Sequence, residues 1–282
     1  MERSVYPPVK RIIAIGDLHG DYDALIGVLK KCKLIDNDFK WIGGKTYLVQ
    51  IGDQVDSLCR DNSNNLRNPQ ELRIMLYLNK LDGEARKVGG RVISLLGNHE
   101  MMNMQGDFRY ASDVDIKVMN GIKGRKELFK PGGQLARVLS KSRLAVVKIG
   151  DYIFVHAGII PKVARKYSLE KINEIAKRFM SGEKSLEYTP AFQDIFEGPN
   201  GILWTRKFSK DHPNSDLINI SNKLLNSKAQ IIGHTVQDKG INSVGGGGIW
   251  RIDTGMSKAF GKRRKIQALE IINNGAKIRV LK

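Results

Sequence analysis

Five short apolar runs along this 282-residue chain each end abruptly in a polar cluster. Arg11-Ile-Ile-Ala-Ile leads into Gly-Asp-Leu-His-Gly at 16–20, Tyr47-Leu-Val-Gln-Ile into Gly-Asp-Gln-Val-Asp at 52–56, and Val92-Ile-Ser-Leu-Leu into Gly-Asn-His-Glu at 97–100. Tyr152-Ile-Phe-Val runs onto His156, and Gln230-Ile-Ile onto Gly-His-Thr at 233–235. Runs this short and this rich in β-branched residues predict buried strands, which places every polar cluster just past a strand's C-terminal end. Between the first three runs the period changes. Asp21–Cys32 spaces its apolar residues as a helix does, with acidic residues in the first turn, and Pro69–Lys87 repeats the pattern through Leu72, Met75, Leu76, Leu78 and Leu81. The order β-α-β-α-β predicts parallel strands delivering their loops to one edge of a sheet.

The second half reads differently. Leu144–Ile149 and Tyr152–His156, joined at Gly150-Asp151, predict a hairpin. Ile249–Asp253, Ile266–Ile272 and Lys277–Leu281 are further strand candidates, with Asn274-Gly275 as the turn between the last two. The expected fold is therefore α/β (α+β), a central mixed β-sandwich flanked by helices with its site at the strand C-terminal loops. We expect residues 1–282 to form one domain, with polar, partly helical insertions at about 107–143 and 162–225 covering or flanking that rim.

Composition narrows the setting. A hydrophobic content of 41% supports one large core and argues against disorder. The N-terminal residues lack a signal-type apolar region and no apolar run approaches membrane-spanning length, so a cytoplasmic protein with no membrane partner is expected, and a monomer. Cys32 and Cys59 are too few for a disulfide framework or a thiolate metal site. A net charge of +18 suits acidic or phosphorylated partners, and Lys258–Lys282 holds eight basic residues against Glu270 alone. That stretch reads first as a solvated edge and turn, and second as a surface for polyanions.

Histidine carries the chemistry. Of five histidines, only His212 lies outside the polar clusters. Imidazole combined with carboxylate and amide oxygen suits divalent Mn, Fe or Zn. Two incomplete shells follow: Asp17, His19 and Asp53 for one ion, and Asp53, Asn98, His156 and His234 for a second, with Asp53 shared. A pair of ions about 3.5–4 Å apart can generate hydroxide near neutral pH and stabilise an in-line displacement at phosphorus. His99, one residue past a ligand, is left to donate a proton to the leaving oxygen, with Asp56 placed to hold its imidazole.

In this order and spacing the five clusters resemble the calcineurin-like metallophosphoesterases of the phosphoprotein phosphatase family. Met102-Asn103, Gly106–Tyr110, Leu203–Arg206 and Trp250–Ser257 are similar to the bacterial-like branch known as Shewanella-like phosphatases. The resemblance implies two bound divalent ions and hydrolysis of phosphomonoesters on protein serine or threonine, with tyrosine also open. It carries the metal ligands onto the same six residues and the acid pair onto His99 and Asp56. Substrate-binding candidates are Arg206, Arg109, Asn98 and Arg60, since a guanidinium fork matches phosphate oxygens. One departure stands out: where the family reads GDxxDRG, this chain has Ser57 and Leu58, so a phosphate-binding arginine is missing from its usual place. Ala157 also replaces a frequent glycine. Two other readings stay open, a hydrolase of dinucleoside polyphosphates or RNA caps using the same centre, and a basic nucleic-acid or scaffold protein with an inactive site.

Overall fold

In the computed structural model, which describes residues 3–60 and 70–282, the parallel strands foreseen in the sequence end level with one another. Twelve strands are present among the described residues: β1 (Val5–Tyr6), β2 (Arg11–Ile15), β3 (Tyr47–Gln50), β4 (Arg91–Leu95), β5 (Arg143–Leu144), β6 (Val146–Ile149), β7 (Tyr152–Val155), β8 (Ala229–Ile232), β9 (Asn242–Val244), β10 (Ile249–Arg251), β11 (Ala268–Ile272) and β12 (Lys277–Leu281). They form two six-stranded sheets, β12-β11-β2-β3-β4-β5 and β1-β6-β7-β8-β10-β9. In the first, Ile15 lies beside Gln50 and Gln50 beside Ser94, all in parallel register. The chain therefore leaves β2, β3 and β4 at one edge, and the three polar clusters emerge side by side. In the second sheet Phe154 pairs with Ile231 and Ile231 with Trp250, again parallel, so His156 and His234 leave at the same height.

Burial explains why these strands read as near-continuous apolar runs. Ile12, Ala14, Val49, Ile93 and Leu95 face Val147, Ile149, Phe154 and Ile231 across the sandwich. Their neighbours Ile13, Ile15, Leu48 and Val92 pack outward on the helices Tyr22–Lys31 and Glu71–Lys87. A parallel strand covered on both faces has no polar side to show. Asp21 caps the first helix by accepting from the Ala24 N–H at 3.0 Å. The expected start of the second helix at Pro69 lies outside the described residues. The segments 107–143 and 162–225 form further helices that cover the outer face of the second sheet, and they supply the fully buried Phe129, Phe179, Phe192, Phe196 and Phe208. No helix among the described residues is long and apolar enough to cross a membrane.

Two details differ from the sequence reading. The run Leu144–Ile149 is not one hairpin strand, because the chain changes sheets at Ala145: Leu144 pairs with Leu95 in the first sheet and Val146 with Val155 in the second. At the switch the N–H groups of Ala145 and Val146 would lose partners, and both donate to Asn173 Oδ1 at 2.8 and 3.1 Å. The turn at Asn274-Gly275 is present but spans Asn273 to Ala276, with Asn273, Asn274 and Gly275 all at positive φ.

Glu270 on β11 ties the first sheet together. Its buried carboxylate accepts from Arg11 Nε on β2 at 2.7 Å and from Arg279 Nε on β12. Burial opposes the charge, but the two guanidinium groups prevail and hold its pKa below the ordinary glutamate value. A depressed carboxylate contributes stability above the unfolded pKa of about 4.3 and loses it as pH falls through the folded value. Glu270→Gln should therefore lower the urea midpoint at pH 7, and the gap to native protein should close below about pH 4, where the native carboxylate also protonates; a gap of constant size in urea titrations at the two pH values would contradict this assignment.

Candidate active site

The loops after β2, β3 and β4 are bonded to each other before any side chain is considered. The N–H groups of Leu18 and His19 both donate to Asp53 O at 2.9 Å. Gly97 is needed at the third loop, since a Cβ there would come within 2.0 Å of Asp53 Oδ1. Buried Glu100 binds the loops together, accepting from the N–H groups of Asp53, Gln54 and Gly97 at 3.0, 2.7 and 2.7 Å. Glu100 closes the Gly-Asn-His-Glu cluster in sequence, but nothing in that position tells that its carboxylate is buried on three backbone N–H groups. His19, Asp53, Asp56 and His234 all have φ between 40° and 69°. For residues other than glycine this conformation costs about 1–3 kcal/mol each, and it gathers where surrounding structure enforces it.

Five of the six expected metal ligands project into one buried pocket around Asp53. Asp53 Oδ2 lies 3.3 Å from His156 Nε2, 3.8 Å from His19 Nε2 and 3.9 Å from His99 Nε2. Asn98 Oδ1 sits 2.9 Å from His156 Nε2 and 2.8 Å from His234 Nδ1. Asp17, the sixth, accepts the His234 N–H on Oδ2 at 3.1 Å, while its Oδ1 and His234 Nε2 are buried without hydrogen-bond partners. The donors fall into two groups, His19 with Asp53 and His99, and Asp53 with His156 and His234. The first includes His99 where the sequence reading had Asp17. Because Nδ1 of His99 is bonded to Asp56 at 2.7 Å, Nε2 is the nitrogen that faces Asp53, while Asp17 keeps a buried oxygen unused.

This donor set fits divalent ions. His156 commits Nδ1–H to the Ile51 carbonyl at 2.9 Å, so its Nε2 meets two oxygens that cannot donate to it. Without a cation that nitrogen must carry a second proton: burial pulls the His156 pKa down, but Asp53 overrides it and the value is raised. Asp53 is held well below the carboxylate range against burial, chiefly by His156 and His99. Burial, then His156, pushes His234 down to about 3, and burial with the Asp253 and Asp53 charges raises Asp17 well above its ordinary value. Asp253, which the sequence reading did not single out, is itself raised to about 6 by burial. His234 is thus neutral beside crowded carboxylates, and a divalent cation at Asp53 would take the place of the second proton on His156.

The profile of the calcineurin-like phosphoesterases matches residues 10–238. This chain belongs to that family. Among its relatives are Shewanella-like protein phosphatase 2 of Arabidopsis thaliana, 32% identical over 88% of this chain and 72% of the other, and Shewanella-like protein phosphatase 1 of Plasmodium berghei, 33% identical over 88% and 67%. A solved structure of a mutant cold-active protein tyrosine phosphatase superposes with a TM-score of 0.81 at 25% identity, covering 100% of this chain and 83% of that one. In this calcineurin-like phosphoesterase the two donor groups sharing Asp53 constitute a two-metal phosphomonoesterase centre.

Three arginines expected at the substrate take different positions. Arg206 bonds Thr235 Oγ1 at 3.1 Å, next to His234. Arg109 is exposed and folds back on Asp107 at 2.6 Å. Arg60 is stacked over Tyr110, 4.5 Å from the ring centroid, and 5.7 Å from that of Phe260, the same two rings that flank His99 and His19. Its guanidinium thus stands near the imidazoles of His19 and His99. Ser57, which occupies that arginine's place in sequence, turns away from the pocket: its Oγ bonds Asp115 Oδ2 at 2.7 Å and lies 3.0 Å from Ser112 Oγ, fully buried. Ser57→Ala should destabilise the fold by about 1.5–3 kcal/mol, the range for a hydrogen bond to a charged group, without changing bound-metal stoichiometry; denaturant titration and elemental analysis check the two halves of that expectation.

Proposed function

We propose that this phosphoesterase removes phosphate from proteins, with Asp17, His19 and Asp53 holding one divalent ion and Asp53, Asn98, His156 and His234 the other. The observation that carries the reading is one buried carboxylate shared by two donor groups, the first of which brings in His99 through Nε2. Bound there, a pair of Mn, Fe or Zn ions supplies Lewis acidity and makes water nucleophilic near neutral pH. The protein does the rest. Arg206 offers a guanidinium fork to phosphoryl oxygens, Arg60 would add a second on release from the Leu58 and Asp56 carbonyls that its Nη1 and Nη2 now hold, and Asn98 adds a neutral amide. Release from its Asp107 pair would let Arg109 join them. His99, its Nδ1–H held by Asp56, presents Nε2 as the proton donor to the leaving oxygen. Burial alone would depress His99, yet Asp53 and then Asp56 raise its pKa, which favours the protonated form a general acid needs.

Half-buried rings surround the pocket: Tyr110 stacks at 5.1 Å from His99, Phe260 at 5.1 Å from His19 and Trp204 at 6.1 Å from His234. Such walls favour a flat aryl ester, so we extend the substrate range from phosphoserine and phosphothreonine to phosphotyrosine. The names of the relatives, protein phosphatase and protein tyrosine phosphatase, support the same direction. The net charge of +18 suits a phosphorylated partner, and it would equally attract a nucleotide or RNA end.

Two experiments test this reading. Asp53→Asn should take the bound-metal count from two toward zero and abolish phosphate release, whereas Arg206→Ala should keep both ions while raising KM and lowering kcat; a full metal complement in Asp53→Asn would remove the shared-ligand assignment. A panel of phosphotyrosine, phosphoserine and phosphothreonine peptides, diadenosine tetraphosphate and capped RNA, run on Mn-loaded protein, should show turnover of the peptides first. Faster cleavage of either nucleotide substrate would replace the phosphoprotein reading.

A further inference from the structure

Behind the His99–Asp56 pair lies a charge that neither strand pattern nor cluster spacing revealed. Arg125, from the helix Gly121–Phe129, is fully buried and reaches the back of Asp56. Its Nη2 donates to Asp56 Oδ1 at 3.0 Å, and Asn103 Nδ2 donates to the same oxygen at 2.9 Å. Oδ1 is thereby saturated, and Oδ2 alone is left to accept from His99 Nδ1 at 2.7 Å. Arg125 is itself fixed on every side. Its Nε donates to Asn103 Oδ1 at 2.6 Å and Nη1 to Glu71 Oε2 at 2.8 Å, while the rings of Phe129 and Phe108 lie 5.1 and 5.9 Å from the guanidinium carbon. Glu71 closes the circuit by accepting the Asp56 backbone N–H on Oε1.

Burying a guanidinium with two carboxylates is costly, and well-packed apolar side chains often serve stability as well or better. What an apolar replacement cannot do is clamp one carboxylate oxygen. Asp56 also needs the clamp more than most residues, since its φ of 69° puts its backbone in the left-handed region. An imidazole proton donor depends on which nitrogen its partner holds, because that choice fixes the direction of the other.

We propose that Arg125 is a positioning residue for proton donation: with Asn103 it locks the Asp56 carboxylate so that Oδ2 holds His99 Nδ1–H and Nε2 is aimed at the leaving oxygen. The proposal rests on the general-acid reading of His99. It also gives the 107–143 segment a part in holding the proton donor, in addition to its covering role.

Leaving-group dependence separates positioning from mere folding. A phosphoserine peptide leaves as a poor alkoxide and needs the proton, whereas p-nitrophenyl phosphate leaves well without it. Arg125→Lys, which keeps the charge but loses the fork, should lower kcat on the phosphoserine peptide at least about tenfold more than on p-nitrophenyl phosphate, within the range general acids contribute, with KM and metal content close to native. His99→Asn should show the same selectivity more strongly. In the metal-free protein, the proton resonance of His99 Nδ1–H, assigned by its loss in His99→Asn, should broaden or move in Arg125→Lys. Equal losses on both substrates together with an unmoved resonance would overturn the role of Arg125 while leaving His99 as the acid. Should His99→Asn itself lack selectivity, the general-acid reading fails and the proposal with it. If Arg125→Lys does not fold, Asn103→Ala removes the other donor to Oδ1 and is held to the same kinetic and spectroscopic outcomes.

Discussion

One carboxylate governs the architecture of this site. Asp53 Oδ2 stands within 3.3 to 3.9 Å of three imidazole nitrogens, while Oδ1 accepts the His99 backbone N–H at 3.0 Å. In a buried environment that charge is tolerable only among cations or hydrogen-bond donors, so the surrounding loops must deliver them. The level ends of β2, β3, β4, β7 and β8 do so, because the sheets fix where each loop begins. Glu100 then bonds the loop backbones directly, leaving little freedom in the distance between Asp53 and Asn98.

Such a site is expensive to hold. Several of its residues occupy left-handed backbone conformations, and acidic groups crowd together at Asp17, Asp53, Asp253 and Glu100. The two-sided burial of the parallel strands and the aromatic core beyond the second sheet supply the apolar packing that offsets this strain. Polar detail is carried by long-range pairs: Glu270 across three strands, Asn173 at the change of sheets, and Ser57 with Asp115 beneath the site.

At the departure from the family pattern, Ser57 and Arg60 take opposite courses. The residue at the usual arginine position is drawn inward by Asp115, and a guanidinium from three residues later, Arg60, comes to rest between Tyr110 and Phe260 next to the metal-facing imidazoles. The chain order of the motif alone gives no account of this, since the ring stack comes from residues 50 and 200 positions further along.

Much was legible without coordinates. Apolar runs ending in Gly-Asp or Gly-Asn specify strands and the loops after them, because buried strands need continuous apolar side chains and tight loop approaches need glycine, and both requirements are local. The gathering of His19, His156 and His234 around Asp53 and the His99–Asp56 pair follow from that placement. Arg125, Glu100 and Asp253 did not, because a charged side chain in a polar stretch carries no mark of whether it will be buried or what it will meet. Arg125 finds Asp56 across 69 positions and Glu71 across 54. The change of sheets at Ala145 was hidden for the same reason: β propensity is shared by both sheets, and only the packing of β5 beside β4 and of β6 beside β7 determines where one strand stops and the next begins.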